Sequence, residues 1–247
     1  MYPIYIPSKG RSDKCSTVNI FLKENIKFLI VVEPQDFENY TKIFGKERCI
    51  VLPENNKGIA YVRNFCKHHA VQNNQAYHWQ IDDDIKTFQL REDGKNIKTA
   101  AQYIFNDIEN FVLKYKNIGA AGLIDCVFAW TKKNIISFNQ QICSAGLFNC
   151  NTNVIWENRI IEDTDYSLQL LLKNYCTITF NKYLYSKSPN EKASGGLSSK
   201  NITTHEEHRH NLVKKYPEHF KLKCNKDGVL KIAPSRVWSL FKQLPSS

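Results

Sequence analysis

His78-Trp79-Gln80-Ile81-Asp82-Asp83-Asp84-Ile85 sets three consecutive carboxylates at the end of a short apolar run. The run, from Tyr77 to Ile81, reads as a buried strand. Three like charges at one strand end repel each other strongly in a partly dry site, so something positive must offset them. A divalent cation is the simplest choice, because Mg²⁺ or Mn²⁺ takes one or two carboxylates and fills its other positions with water and phosphate oxygens. Alternation along an extended chain puts Asp82 and Asp84 on one side and Asp83 on the other. A solvated acidic loop is the plainer alternative, but it would not need the apolar strand before it.

Upstream of this stretch, strands and helices alternate. Tyr2 to Pro7 is a short strand, followed by a helix from Asp13 to Glu24 with Cys15, Val18, Phe21 and Leu22 on one side and Ser12 as candidate cap. Phe28 to Val32 is continuously apolar, as in a strand covered on both faces. Gln35 to Phe44 is helical, Cys49 to Leu52 is a third strand, and Gly58 opens a helix that runs to about Val71. This alternation predicts an α/β fold with a mainly parallel, mixed sheet flanked by helices. Ligands in such sheets sit beyond the carboxyl ends of the strands. That rule gathers Pro7-Ser8-Lys9-Gly10-Arg11, Glu33-Pro34, Glu54 to Gly58 and the three aspartates on one rim.

Downstream, helices are expected at Thr99–Tyr115, Asp163–Lys173 and His205–Tyr216, with strands at Ile118–Val127, Gln141–Cys150 and Cys176–Tyr185. Ser186 to Asn201 is a polar loop, and Arg236 to Lys242 is a short amphipathic helix.

A chain of 247 residues with 42% hydrophobic residues can bury a full core. No stretch approaches a membrane span, and the opening Met-Tyr-Pro-Ile-Tyr-Ile-Pro is unlike a signal peptide. The eight cysteines show neither a CxxC pair nor a zinc-ligand spacing, which points to reduced thiols in a cytoplasmic protein. Net charge is +10, and from Ser186 onward 12 Lys and Arg stand against 5 Asp and Glu. Such a basic segment suits a nucleic-acid partner or a solubilising surface equally well.

Three further groups could carry chemistry. Arg63, in the helix opened by Gly58, offers a planar, permanently charged fork for phosphate or carboxylate. Glu162 and Asp163 could cap a helix or supply a general base. His205, His208 and His210 form a polar helix face, from which one histidine could complete a metal shell.

In this order the motifs resemble those of GT-A (Rossmann-like) glycosyltransferases. Val32-Glu33-Pro34-Gln35, the stretch Leu52 to Asn64, Tyr77 to Ile85 and Glu162 to Ser167 resemble, more narrowly, the TET-associated glycosyltransferases. These occur largely in bacteriophages and are related to the glucosyltransferase that makes base J. The resemblance covers roughly residues 1–215, taken as the catalytic domain, with 216–247 as a basic extension packed on it. It implies transfer of a sugar from a nucleotide-sugar donor, expected to be a UDP-sugar, to the hydroxyl of 5-hydroxymethylcytosine or 5-hydroxymethyluracil in DNA, in the host cytoplasm if phage-encoded. By the same resemblance Asp163 and Glu162 are catalytic, and Asp84, Asp82 and His205 hold Mn²⁺ or Mg²⁺. Pro7, Ser8, Arg11, Glu33, Arg63, Asn64, Asp82, Asp83 and Gly146 would bind the nucleotide sugar. If the target base leaves the duplex, Trp130 or Trp156 could stack on it or fill its gap. Alternatives are a protein, glycan or small-molecule acceptor, or a catalytically silent nucleic-acid-binding module. A retaining mechanism would need no base.

Overall fold

The structure, a computed structural model, describes residues 1–157, 161–187, 202–224, 230–232 and 238–247. Its core is one ten-stranded sheet ordered β3-β2-β1-β4-β9-β7-β10-β5-β6, with β8 paired to β10. The strands are β1 (Ile4–Pro7), β2 (Leu29–Val32), β3 (Cys49–Val51), β4 (Tyr77–Ile81), β5 (Ile85–Glu92), β6 (Lys95–Lys98), β7 (Ile118–Asp125), β8 (Ile136–Phe138), β9 (Ala145–Asn149) and β10 (Cys176–Lys187). The helices are α1 (Ser16–Lys23), α2 (Phe37–Phe44), α3 (Ile59–Gln72), α4 (Ala101–Val112), α5 (Glu162–Leu172) and α6 (Ile202–Lys215). A two-stranded ribbon, β11 (Leu222–Cys224) with β12 (Leu230–Ile232), stands apart from the main sheet.

The first half follows the expected strand–helix alternation, and β3, β2, β1 and β4 pair in parallel. Beyond β4 the sheet is mixed: β9 runs antiparallel to both β4 and β7, whereas β7 and β10 are parallel. β4 and β7 therefore point the same way and share one carboxyl rim. α1 begins at Ser16 with Cys15 as its N-cap, so the expected start near Asp13 and the cap at Ser12 are not realised.

β4 shows why its sequence mixes apolar and polar residues. Tyr77, Trp79 and Ile81 enter the main core with Phe21, Phe88 and Phe105. His78 and Gln80 face the other way, where Gln80 Nε2 donates to the Arg63 carbonyl at 3.0 Å and to His78 Nε2 at 2.9 Å. That bond leaves the ring proton of His78 on Nδ1, 3.2 Å from Cys150 Sγ. Burial holds His78 at about 3, well below its ordinary value, so it is neutral.

The Asp93-Gly94 turn joins β5 to β6 with φ of 49° and 76°, the left-handed pair of a tight hairpin. The last residues lie against the domain: Asn139 Nδ2 donates to the Phe241 and Gln243 carbonyls, and Lys116 N–H donates to the Ser246 carbonyl. The polar loop 186–201 lies mostly outside the described residues, whereas 238–242 of the expected helix 236–242 are described and pass from a helical Trp238 through a turn at 239–240 into irregular chain. No described helix is long and apolar enough to cross a membrane.

Candidate active site

The three aspartates form the turn between β4 and β5, and α1 holds its backbone. Thr17 Oγ1 donates to the Asp82 carbonyl at 2.6 Å and accepts from Ile85 N–H at 3.0 Å, while Thr17 N–H reaches the Asp83 carbonyl. Asp82 N–H donates to the Ser144 carbonyl at 2.7 Å. The turn is thus fixed from both sides before any ligand is considered.

The side chains divide as alternation requires. Asp83, buried, accepts from Ser8 Oγ and pairs with Arg11 Nη2 at 3.2 Å. Tyr40 OH lies 2.6 Å from Ser8 Oγ and accepts the Arg11 N–H, giving a chain from Arg11 backbone through tyrosine and serine to the carboxylate. Burial pushes the Asp83 carboxyl up to about 6, although Arg11 and Ser8 oppose the shift. Asp82 and Asp84 face the opposite side. Lys187 Nζ lies between them, 2.6 Å from Asp82 Oδ2 and 3.0 Å from Asp84 Oδ1. Burial raises Asp82, but Lys187 and Arg63 outweigh it and hold the carboxyl at about 2.

Arg63 joins the aspartate turn to α5. Its Nε donates to Glu162 Oε1 at 3.2 Å, Nη1 to Gln80 Oε1 at 3.2 Å, and Nη2 pairs with Asp82 Oδ1 at 3.4 Å. Burial raises the Glu162 carboxyl, and Asp163 adds to the rise against Arg63. Next to Glu162, Asp163 Oδ1 accepts the Thr164 N–H at 2.8 Å, and the Cys143 thiol, pushed well up by burial and by the neighbouring Asp163 carboxylate, stays protonated. α5 is entered through Ile161 at φ 67°, a left-handed conformation that costs a β-branched residue about 1–3 kcal/mol. This strained entry sets the direction in which Glu162 and Asp163 leave the helix start.

These groups surround a cavity of about 310 Å³, within the range of small-molecule sites. It collects the ends of four parallel strands: Pro7, Ser8 and Arg11 after β1, Glu33 after β2, Leu52 after β3, and Asp82, Asp83 and Asp84 after β4. Gly58, at φ 87°, starts α3 without a side-chain cap, and with Ile59 it brings the helix N-terminus to the wall. The backbone N–H groups of such a helix start favour anions. Lys9 crosses the mouth to both Glu33 oxygens at 3.0 and 2.9 Å. Arg11 Nε is buried and has no hydrogen-bond partner among the described residues.

Pro7, Ser8, Arg11, Glu33, Arg63, Asp82, Asp83, Asp84 and Glu162 therefore line one cavity, whereas Asn64, Gly146 and Asp163 are not on its wall. Asn64 spends its amide on the Trp156 backbone, donating to the carbonyl at 2.7 Å and accepting the N–H at 2.9 Å. Gly146 sits inside β9, where a Cβ would stand 2.6 Å from Ile142 Cγ2 and 2.7 Å from the Phe148 ring. Asp163 is adjacent to the cavity rather than on its wall. His205 lies on α6 where only the backbone is described, so its role as a ligand falls outside the described residues.

Sequence reading missed Lys187, Tyr40 and Ser144. Tyr40 had a faint signal as a polar tip on the apolar side of α2, whereas Lys187 and Ser144 had none. The positive charge that three aspartates require is supplied by Arg11, Arg63 and Lys187. No cluster of three or more His, Cys, Asp or Glu able to hold a metal occurs among the described residues. Asp82 Oδ2 and Asp84 Oδ1 nevertheless converge on a single cationic atom, and two hard oxygens fit Mg²⁺ or Mn²⁺ when phosphate and water complete the shell.

A search of curated protein sequences finds no significant match. Among solved structures, A197 from STIV is similar over 76% of this chain and 86% of its own, at 11% identity and a TM-score of 0.47. A Desulfovibrio desulfuricans G20 protein assigned to the nucleotide-diphospho-sugar transferases is similar over 87% of this chain and 99% of its own, at 10% identity and a TM-score of 0.46. GlyE, a glycosyltransferase from Streptococcus pneumoniae TIGR4, is similar over 87% and 51%, at 12% identity and a TM-score of 0.35. The sequence profile of the TET-associated glycosyltransferases matches residues 2–196, most of the chain, and the protein therefore belongs to that family and is a glycosyltransferase.

Proposed function

We propose that this enzyme moves a sugar from a nucleotide-sugar donor, expected to be a UDP-sugar, to the hydroxymethyl oxygen of a 5-hydroxymethylpyrimidine in DNA. The observation that carries the reading is the shared cavity: the aspartate turn, Arg11 and the α3 N-terminus on one side, and Glu162 beside Asp163 on the other. Arg11 and the helix start would meet the diphosphate charge, and Glu33 and Asp83 would take the nucleoside end. When bound at Asp82 and Asp84, a divalent ion would neutralise the leaving diphosphate. In the transfer the acceptor hydroxyl oxygen bonds to the anomeric carbon as the bond from that carbon to the diphosphate breaks. Its proton passes to Asp163, and the sugar inverts its configuration. Glu162 serves instead to position Arg63.

A nucleic-acid acceptor is supported by a second surface, which begins where β7 reaches the carboxyl rim and extends along β5 and β10. A 3₁₀ turn, Cys126–Thr131, follows the carboxyl end of β7 and leaves Phe128 57% and Trp130 79% exposed. Behind it lies a hollow lined by Arg91, Trp130, Lys132, Lys133 and Lys182, with no carboxylate among the described residues of its wall, although Lys182 also pairs with Asp107. Cations with an exposed indole suit a phosphate backbone and an unstacked base. Lys182 and Lys187 lie on one strand, at most about 16 Å apart for five residues, a span of a few nucleotides.

The test is labelled-sugar transfer from a panel of nucleotide sugars to hydroxymethylated DNA, unmodified DNA, protein and glycan. Transfer confined to hydroxymethylated DNA supports the reading. Transfer only to a non-DNA acceptor overturns it.

A further inference from the structure

Lys187 is the final residue of β10, and its neighbours explain why its side chain reaches the aspartate turn. In the β10–β5 ladder Ser186 pairs with Thr87, but Lys187 pairs with Ile85, so the register slips by one residue at this point. Such a bulge re-aims a side chain. Here it brings Lys187 opposite the residue that directly follows Asp84. The ammonium is mostly buried, 2.6 Å from Asp82 Oδ2 and 3.0 Å from Asp84 Oδ1. These are the two oxygens that would face a divalent ion.

We propose that Lys187 is a tethered cation which occupies the Asp82–Asp84 site in the donor-free enzyme and is displaced when a divalent ion enters. An ammonium and a metal ion cannot share one position between the same oxygens. Metal entry therefore requires the lysine to leave, and its flexible four-carbon stem allows this without movement of β10. Arg63 cannot make the same exchange, because three partners fix its fork. The consequence is ordered loading. Without nucleotide the metal competes with Lys187 and binds weakly; with nucleotide, phosphate oxygens add ligands and the displaced ammonium gains an anion to meet. The lysine thus acts as a positioning residue that keeps the carboxylates preorganised and couples metal entry to donor entry. This inference rests on the reading of Asp82 and Asp84 as the metal site.

Mn²⁺ titration without nucleotide or acceptor, followed by calorimetry, tests it on wild type, Lys187→Met and Lys187→Arg. Lys187→Met should bind Mn²⁺ at least tenfold more tightly than wild type, and Lys187→Arg should stay near wild type. Equal affinity in wild type and Lys187→Met overturns the exchange while leaving the metal site standing. If none of the three binds Mn²⁺, with or without UDP, the metal reading falls and the exchange with it. A second measurement needs no variant: amine acetylation of wild type, read by mass spectrometry at Lys187. Mn²⁺ alone should raise labelling at Lys187 relative to other lysines, and unchanged labelling counts against displacement.

Discussion

Arg63→Met removes one buried cation from three partners at once, and its cost can be worked from the contacts. The guanidinium serves Glu162, Gln80 and Asp82, and these carboxylates outweigh burial to raise its pKa further. Methionine keeps most of the stem volume, so the loss is chiefly electrostatic. Removing one partner from a buried ion pair costs about 3–5 kcal/mol, because the other charge is stranded. Lys187 still meets Asp82, so Glu162 bears most of the penalty. For a chain of this length each kcal/mol lowers Tm by about 2–4 °C, which predicts a fall of roughly 6–20 °C. Thermal and urea unfolding of wild type, Arg63→Met, Glu162→Gln and the double variant would measure it. Neutralising Glu162 removes the stranded charge, so the double variant should be less destabilised than the sum of the singles by about 1–3 kcal/mol. A cost below about 1 kcal/mol for Arg63→Met, or strict additivity, would refute the view that Arg63 is the tie between the aspartate turn and α5.

Other outcomes follow from single groups. His78 takes no proton in the native state until about pH 3, whereas the unfolded chain takes one near 6.5. Between these values the unfolded state binds the extra proton, so His78 by itself lowers stability by about 2 kcal/mol from pH 7 to 5, against the raised Asp83 and Glu162 carboxyls, which favour the native state over the same range. In His78→Gln the stability at pH 5 relative to pH 7 should rise over wild type by about that amount in urea unfolding, and an unchanged pH dependence would remove His78 as a contributor. Trp156→Ala should cost about 3–5 kcal/mol, because Trp156 is 2% exposed and stacks on Tyr166 with ring centroids 3.7 Å apart. Trp130→Ala should leave Tm within about 1 °C yet weaken DNA binding in a fluorescence-anisotropy titration. Gly146→Ala should destabilise by about 1–3 kcal/mol through the clash with Ile142 and Phe148, with nucleotide-sugar affinity unchanged in the folded fraction.

What could be read in the sequence was the part set by local pattern. β4 and the turn after it are visible because an apolar run meets charge abruptly, and the rim follows from strand–helix alternation. The β5–β6 hairpin was overlooked although Asp93-Gly94 between alternating residues is a strong turn signal. The direction of β9 could not be read, since Ala145 to Asn149 is buried throughout and the same apolar run suits either orientation. Lys187 was invisible for a different reason. Its place depends on a one-residue slip between strands roughly a hundred residues apart in sequence, which no local pattern records. Asn64 and Gly146 stand near chemistry-bearing residues in the chain, but their side-chain space is taken by Trp156, Ile142 and Phe148. The two tryptophans show the same limit, because only packing distinguishes the buried Trp156 from the exposed Trp130.

The most direct measurement is mass spectrometry of nucleosides from hydroxymethylated DNA incubated with a UDP-sugar, Mn²⁺ and either wild type or Asp163→Asn. The expected result is a glycosylated hydroxymethylpyrimidine nucleoside with wild type and none with Asp163→Asn, whose affinity for the nucleotide sugar is retained. Full activity of Asp163→Asn would contradict its role as base, and unmodified nucleosides with wild type across a panel of donors would contradict the assignment of DNA as acceptor.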